Sequence, residues 1–373
     1  MSATALALFI VGLAMVVAGA DVLVRGAARL AGSFGVSPLV IGLTVVAYGT
    51  SAPELSVSFR AGLSGSADIA VGNVVGSNIY NVLLILGLSS LVTPLVVSLQ
   101  LIRRDVPLMI GISLVLWVMS RDGVVGRLDG GLLVAGAVVY SFHCIRQSRR
   151  QTRRERAVRA DDDVTGRPRK GPSGWLLHLV YVLVGLAMLV VGSGWVTQGA
   201  VQIARLAGVS ELTIALTIVA MGTSLPEAAT SITAALRGER DIAVGNVVGS
   251  NIFNILTVAG LTATVAPRGL AVAPQAVSFD MPVMVAVSVA CLPIFATGHR
   301  ISRWEGLVFV LYGVVYTVFL VWMAVREHVP STREAAVAVL VALLPAVTLV
   351  VLAERLWKAR KQPTDAPEPP SPA

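Results

Sequence analysis

Few residues in this chain can carry charge: Asp, Glu, Lys and Arg together make up 13% of 373 residues, whereas hydrophobic residues make up 55%. With a mean hydropathy of +0.80, that balance excludes an ordinary soluble domain and defines a membrane protein. Cysteine is nearly absent. Cys144 and Cys291 lie far apart in or beside apolar runs, which excludes a disulfide framework and a Cys-x-x-Cys metal or redox site. The four histidines, His143, His178, His299 and His328, fall near expected helix ends as interfacial residues. No polar stretch is long enough for a large soluble domain, and the chain reads as a non-enzyme with no resident cofactor. The net charge of +8 does not point to nucleic acid, because the basic residues sit in short segments between hydrophobic runs, where they set topology.

Those runs are about 20 residues long, the length a helix needs to cross the hydrocarbon layer. Five are expected near Ala3–Val24, Pro38–Leu63, Ile69–Val92, Val106–Met119 and Val124–Cys144. Five more follow near Trp175–Val196, Leu212–Leu236, Ile242–Val265, Met281–Ala296 and Trp304–Val325, and an eleventh near Ala335–Ala353. The first run has no Lys or Arg ahead of it and no small-residue cleavage site after it, so it reads as a retained helix. The expected organisation is a first repeat at 1–145, a basic linker at 146–173, a second repeat at 174–326, an extra transmembrane helix at 327–361 and a disordered, Pro-rich tail at 362–373. Odd-numbered connections carry Arg25 and Arg29, Arg103 and Arg104, the 146–170 cluster, Arg237 and Arg240, and Arg300 and Arg303. By the positive-inside rule these lie in the cytoplasm with the C-terminus, and the N-terminus lies outside, in an inner or plasma membrane. The linker lacks a calcium-loop pattern and is expected to be solvated and to touch anionic lipid.

The strongest signal is an internal repeat. A segment beginning at Val45 matches one beginning at Ile218, an offset of 173 residues that also pairs Gly12-Leu-Ala-Met15 with Gly185-Leu-Ala-Met188 and Gly35-Val-Ser37 with Gly208-Val-Ser210. Such self-similarity is the mark of duplication. Five helices per half is an odd number, so the second half must enter the bilayer from the opposite side, as in the inverted repeats of secondary transporters. The expected fold is all-α and polytopic, with two inverted five-helix repeats and a probable eleventh helix.

The best-matched positions are polar. In the second helix of each half stands Gly-Thr-Ser-x-Pro-Glu, giving Thr50, Ser51 and Glu54 in one and Thr223, Ser224 and Glu227 in the other. A carboxylate at mid-membrane is unfavourable by about 3 kcal/mol. No Lys or Arg lies within a turn of either Glu, so the missing counter-charge is most simply a cation from solution. Ala47, Thr50, Ser51 and Glu54 are spaced i, i+3, i+4 and i+7 on one helical face. Pro53 and Pro226 lack the N–H that would bond the carbonyl four residues earlier, which releases backbone oxygens near Gly49 and Gly222.

The third helices share a segment running from Asp68 and from Asp241, with Gly72 and Gly76 matched by Gly245 and Gly249 as Gly-x-x-x-Gly pairs that let backbones approach. Ser77 with Asn81, and Ser250 with Asn254, are spaced to face the carboxylates. Asn73, Asn78, Asn246 and Asn251 are expected to brace the broken helices, and Asp68 and Asp241 to cap their own. Two Glu, two Thr, two Ser, two Asn and freed carbonyls form a hard-oxygen set that suits calcium and sodium, and the absence of His and Cys disfavours softer metals.

These paired elements closely resemble the alpha repeats of the sodium/calcium exchanger family, within the wider cation/calcium antiporter superfamily, over roughly residues 5–325. The resemblance implies a calcium site held chiefly by Glu54 and Glu227, assisted by Thr50, Thr223 and the carbonyls of Ala47 and Ala220. It assigns Ser51, Ser77, Ser224 and Ser250 to sodium sites, and it implies alternating access in which the first and sixth helices slide across the rest. Two departures stand out. The family commonly has Asp where this chain has Asn254, which leaves Asn81 and Asn254 both uncharged, and the eleventh helix lies outside the usual ten. Double-Asn arrangements resemble those of proton-coupled relatives, so exchange of calcium for sodium, exchange of calcium for protons through the same Glu pair, and a passive cation channel remain the three readings of the sequence.

Overall fold

A computed structural model describes residues 3–162, 174–209, 214, 218, 220–296 and 298–325. The expected eleventh helix, the tail and the stretch from 163 to 173 lie outside the described residues. Helix α1 is Ala3–Phe34, α2 is the bent pair Pro38–Thr50 and Ala52–Leu63, and α3 is Ala67–Val92. Helix α4 is Val106–Met119, entered through a π-helical turn at Leu101–Asp105. Helix α5 is Arg127–Asp162 and α6 is Trp175–Leu206. Helix α7 comprises Ala220–Thr223 and Leu225–Leu236. Helices α8 and α9 are Arg240–Val265 and Ala276–Ala296, and α10 is Arg303–Val325. Among the described residues, 7 helices are long and apolar enough to cross a bilayer, or 8 with the bent α2 taken as one span. The molecule is a helical, multi-pass membrane protein.

The boundary expected at residue 145 falls inside a helix, because α5 continues to Asp162. Its Arg-rich end contains no Gly or Pro between Gly136 and Asp162, and such long side chains favour helix even where hydropathy is low. Gly35 and Gly208, matched by the repeat, follow the ends of α1 and α6 at φ +64° and +76°, a left-handed conformation that a side chain at Cβ opposes.

Two layers differ sharply in burial. Within their most apolar stretches, α3 and α8 are 72% and 94% buried, whereas α1 and α6 are 33% and 28% buried. The third helix of each half is therefore core, and the first is a flank facing lipid. Helices α1 and α6 meet along glycines spaced by seven, Gly12, Gly19 and Gly26 on one and Gly185, Gly192 and Gly199 on the other: Gly12 packs on Gly192 and Gly19 on Gly185, while Gly26 meets His178 and Tyr181 and Gly199 meets Ala5 and Phe9. A Cβ on Gly12 would stand 2.8 Å from the Gly192 carbonyl oxygen, and one on Gly19 3.0 Å from that of Gly185. Rising numbers on one helix face falling numbers on the other, so the two run antiparallel with their backbones in contact.

Short strands tie the connections together. β1 (Leu95–Val96) pairs antiparallel with β4 (Arg300–Ile301), and β2 (Val124–Val125) with β3 (Leu270–Ala271). Each pair joins one connection from each half. Helix α8 packs on the first piece of α2 through its glycines: a Cβ on Gly245 would lie 3.0 Å from the Leu39 carbonyl and one on Gly249 2.8 Å from Leu43. At Gly72 and Gly76, the matched positions of α3, nothing among the described residues lies within 4 Å of such an atom, so close approach is seen for one of the two expected Gly-x-x-x-Gly pairs.

Candidate cation-binding site

The site starts from two helix breaks. Pro53 and Pro226 each stand in the first turn of a new helical piece, and Ser51 (φ −82°, ψ 10°) and Ser224 (φ −85°, ψ 5°) occupy the joints. At α2 the two pieces meet at 45°. The break turns each serine hydroxyl away from its own helix and towards the other half. Ser51 Oγ donates to Glu227 Oε1 at 2.8 Å, and Ser224 Oγ donates to Glu54 Oε1 at 3.2 Å while lying 3.3 Å from Ser77 Oγ. The two glutamates are thus cross-bonded about a common centre, and both are 0% exposed.

Around them the repeat is copied bond for bond. Thr50 Oγ1 donates to Asn246 Oδ1 at 3.1 Å and Thr223 Oγ1 to Asn73 Oδ1 at 3.3 Å. Asn73 Nδ2 in turn donates to the Glu54 carbonyl at 3.1 Å and to Ser58 Oγ at 2.9 Å, and Asn246 Nδ2 to the Glu227 carbonyl at 3.4 Å and to Ser231 Oγ at 2.9 Å. These two asparagines brace the broken helices as expected. Ser58 and Ser231 were not expected there, although their match at the repeat offset was a readable signal. The Ala47 carbonyl accepts from the Ser51 amide and, at 3.4 Å, from Thr50 Oγ1, and Ala220 opens the first piece of α7.

Asn78 and Asn251 do something else. Asn254 Nδ2 donates to Asn78 Oδ1 at 3.3 Å, Asn81 Nδ2 to Asn251 Oδ1 at 2.9 Å, and Asn251 Nδ2 to the Asn78 carbonyl at 3.2 Å. They clasp α3 to α8 rather than holding α2 or α7, and both lie in the last α-helical turn before the π-helical turns that begin at Asn81 and Asn254. The sulfurs of Met109 and Met284 back this clasp, each 3.6 Å from an asparagine Nδ2. Asp68 and Asp241 are not caps: both lie inside the first helical turn, and the flanking Ser66 and Glu239 make no side-chain cap bond. A carboxylate in that turn still complements the helix dipole.

Once these bonds are made, five buried side-chain oxygens of the site have no hydrogen-bond partner among the described residues: Glu54 Oε2, Glu227 Oε2, Asn81 Oδ1, Asn254 Oδ1 and Ser250 Oγ. Such groups are rare, because an unsatisfied buried acceptor is unfavourable by about 1–3 kcal/mol. The ion pairs among the described residues, Arg25 and Arg237 with Asp21, involve neither glutamate. No group of three or more His, Cys, Asp or Glu exists among the described residues, so this is a site of two carboxylates completed by neutral oxygens. All four are acceptors, and Ser250 Oγ adds a lone pair, which makes the set fit for a hard, bare cation.

A helical membrane protein with buried, unpartnered oxygens gathered about two carboxylates in this way has the build of an ion transporter. The chain belongs to the sodium/calcium exchanger family, whose conserved pattern matches residues 4–146 and 177–322. It is 40% identical over 323 residues to the inner membrane protein YrbG of Escherichia coli, covering 86% of this chain and 98% of the relative. It is 32% identical over 345 residues to the sodium/calcium exchanger MaX1 of Methanosarcina acetivorans, covering 85% and 98%. A structure of the sodium-calcium exchanger NCX_Mj superposes with a TM-score of 0.73 at 30% identity, covering 85% of this chain and 99% of that one. Two of these three, MaX1 and NCX_Mj, are named as sodium/calcium exchangers, and the family supports antiport of calcium against another cation.

Proposed function

We propose that this protein exchanges calcium for sodium by alternating access, with the ion held at mid-membrane between Glu54 and Glu227. The observation that carries the reading is the pair of fully buried glutamates, each with one oxygen bonded by the other half and one oxygen without a partner. Glu54, Glu227, Thr50 and Thr223, with the Ala47 and Ala220 carbonyls, hold calcium; Ser51, Ser77, Ser224 and Ser250, beside Asn81 and Asn254, serve sodium. One calcium or two sodium ions neutralise the pair. An unloaded site would leave two like charges in low dielectric, which disfavours its passage between the two faces and couples one ion's exit to another's entry.

The two halves are inverted repeats. In support, α1 and α6 occupy matched positions and run antiparallel, and each connection pairs with a non-equivalent one through β1–β4 and β2–β3. The arginine-bearing connections face the cytoplasm. Proton coupling is the second reading, favoured by Asn254, which leaves no third carboxylate in the cavity. Calcium uptake into proteoliposomes is expected to require an outward sodium gradient. Uptake driven by a proton gradient alone, without effect of sodium, would establish the second reading instead.

A further inference from the structure

The two flanking helices are treated alike by the repeat but not by the structure. Helix α1 lies along the second piece of α7, with Leu13, Val17 and Asp21 facing Thr233, Leu236 and Arg237 across one groove. At its end, an Arg237 guanidinium N–H donates to Asp21 Oδ1, while Arg25 bonds Asp21 Oδ2 at 2.8 Å from one turn along α1. Asp21 and Arg237 are 29% and 35% exposed, so the pair is partly withdrawn from water.

At the matched positions the charges are missing. Offset by 173 residues, Asp21 becomes Gly194, Arg25 becomes Gln198 and Arg237 becomes Ser64. Gly194 has nothing among the described residues within 4 Å of where its Cβ would be, and Ser64 Oγ turns to the Ala61 carbonyl and Ser66. The helix faces tell the same story. Thr230 on α7 is 0% exposed and its match on α2, Val57, is 36% exposed; Pro226 is buried, whereas Pro53 is only half-buried. The α7 face beside Arg237 is thus the more buried and the charge-bonded one, and its match on α2 is neither.

We infer that Asp21 and Arg237 form a one-sided latch between the sliding helix α1 and the ion-bearing helix α7. It holds the Arg237 end shut, and the opposite closed state has no equivalent. This rests on the alternating-access reading above. A charge-assisted bond is lost within a few ångströms of displacement, so any slide of α1 that opens this end must break it. The latch therefore biases the resting population towards opening at the other face, and entry of an ion from the Arg237 side is the slower half-reaction.

The test uses the full chain in proteoliposomes, with Cys144 and Cys291 replaced by Ala and Thr233→Cys as a reporter in the groove. A membrane-impermeant maleimide is applied from the Arg237 face. Asp21→Asn and Arg237→Gln are each expected to speed labelling about three- to fivefold, the upper range for a partly exposed ion pair. Arg25→Gln, which removes only the bond within α1, is expected to leave it unchanged. Bridging Asp21→Cys and Arg237→Cys with a bifunctional thiol reagent is expected to halt calcium exchange, and reductive cleavage to restore it. Labelling that is unaffected by Asp21→Asn, or raised equally by Arg25→Gln, overturns the latch. Labelling needs no transport, so a protein that moves no calcium under any gradient would defeat the exchanger reading while leaving the latch result intact.

Discussion

At the scale of the residue, the proposed site rests on two buried glutamates that no Lys or Arg among the described residues pairs with. Glu54→Gln or Glu227→Gln keeps the shape and the serine bond but removes half the charge, so calcium exchange is expected to fall below detection while the folded protein still reaches the membrane. Radiotracer uptake beside size-exclusion profiles checks both parts. Asn254→Asp adds a third carboxylate at the head of a π-helical turn. A gain in sodium dependence of calcium uptake is the expected outcome, and no change would mean that the amide does not limit coupling. Asn246→Ala removes three bonds, to the Glu227 carbonyl, Ser231 and Thr50. Calcium affinity is expected to weaken about tenfold or more, since each lost buried bond is worth roughly 1 kcal/mol, measured by isothermal titration. Glu54, Glu227 and their serine partners were legible because an expensive residue appears twice in the same motif. The roles of Asn78 and Asn251 were not, since residue spacing places an asparagine on a helix face without showing which neighbouring helix that face meets.

At the scale of the element, α1 and α6 approach closely at six glycines matched by the repeat, of which Gly12 meets Gly192 and Gly19 meets Gly185. A leucine at Gly192 would drive its Cβ against the Gly12 carbonyl 2.9 Å away, and over-packing of this kind is unfavourable by about 1–3 kcal/mol. Gly192→Leu is expected to lower the thermal midpoint in detergent and to slow exchange, whereas Gly194→Leu, where the space is open, is expected to leave the midpoint unchanged. A seven-residue glycine period is plain in the sequence once the antiparallel pairing is known; composition alone reads those glycines as ordinary small residues. Hydropathy likewise ended α5 near Cys144, because it detects burial in lipid and not helix propensity, and the Arg-rich continuation has the second without the first.

At the scale of the molecule, exchange and leak are distinguished by whether an unloaded site crosses. Proteoliposomes loaded with calcium and diluted into a medium free of calcium and sodium are expected to retain it, and to release it when sodium is added outside. Release into the ion-free medium at a comparable rate would indicate a channel.

The serine crossing has a consequence for descent. Each copy of the repeat places one glutamate in the site, and the hydroxyl that bonds it belongs to the other copy, so a single repeat could complete this site only by pairing with a second molecule. If the halves are inverted as proposed, that pair would be threaded in opposite directions, and its sense of inside would rest on residues the duplication does not share: Arg25 and Arg29 stand against Gln198 and Gln202, and Arg237 and Arg240 against Ser64 and Ala67.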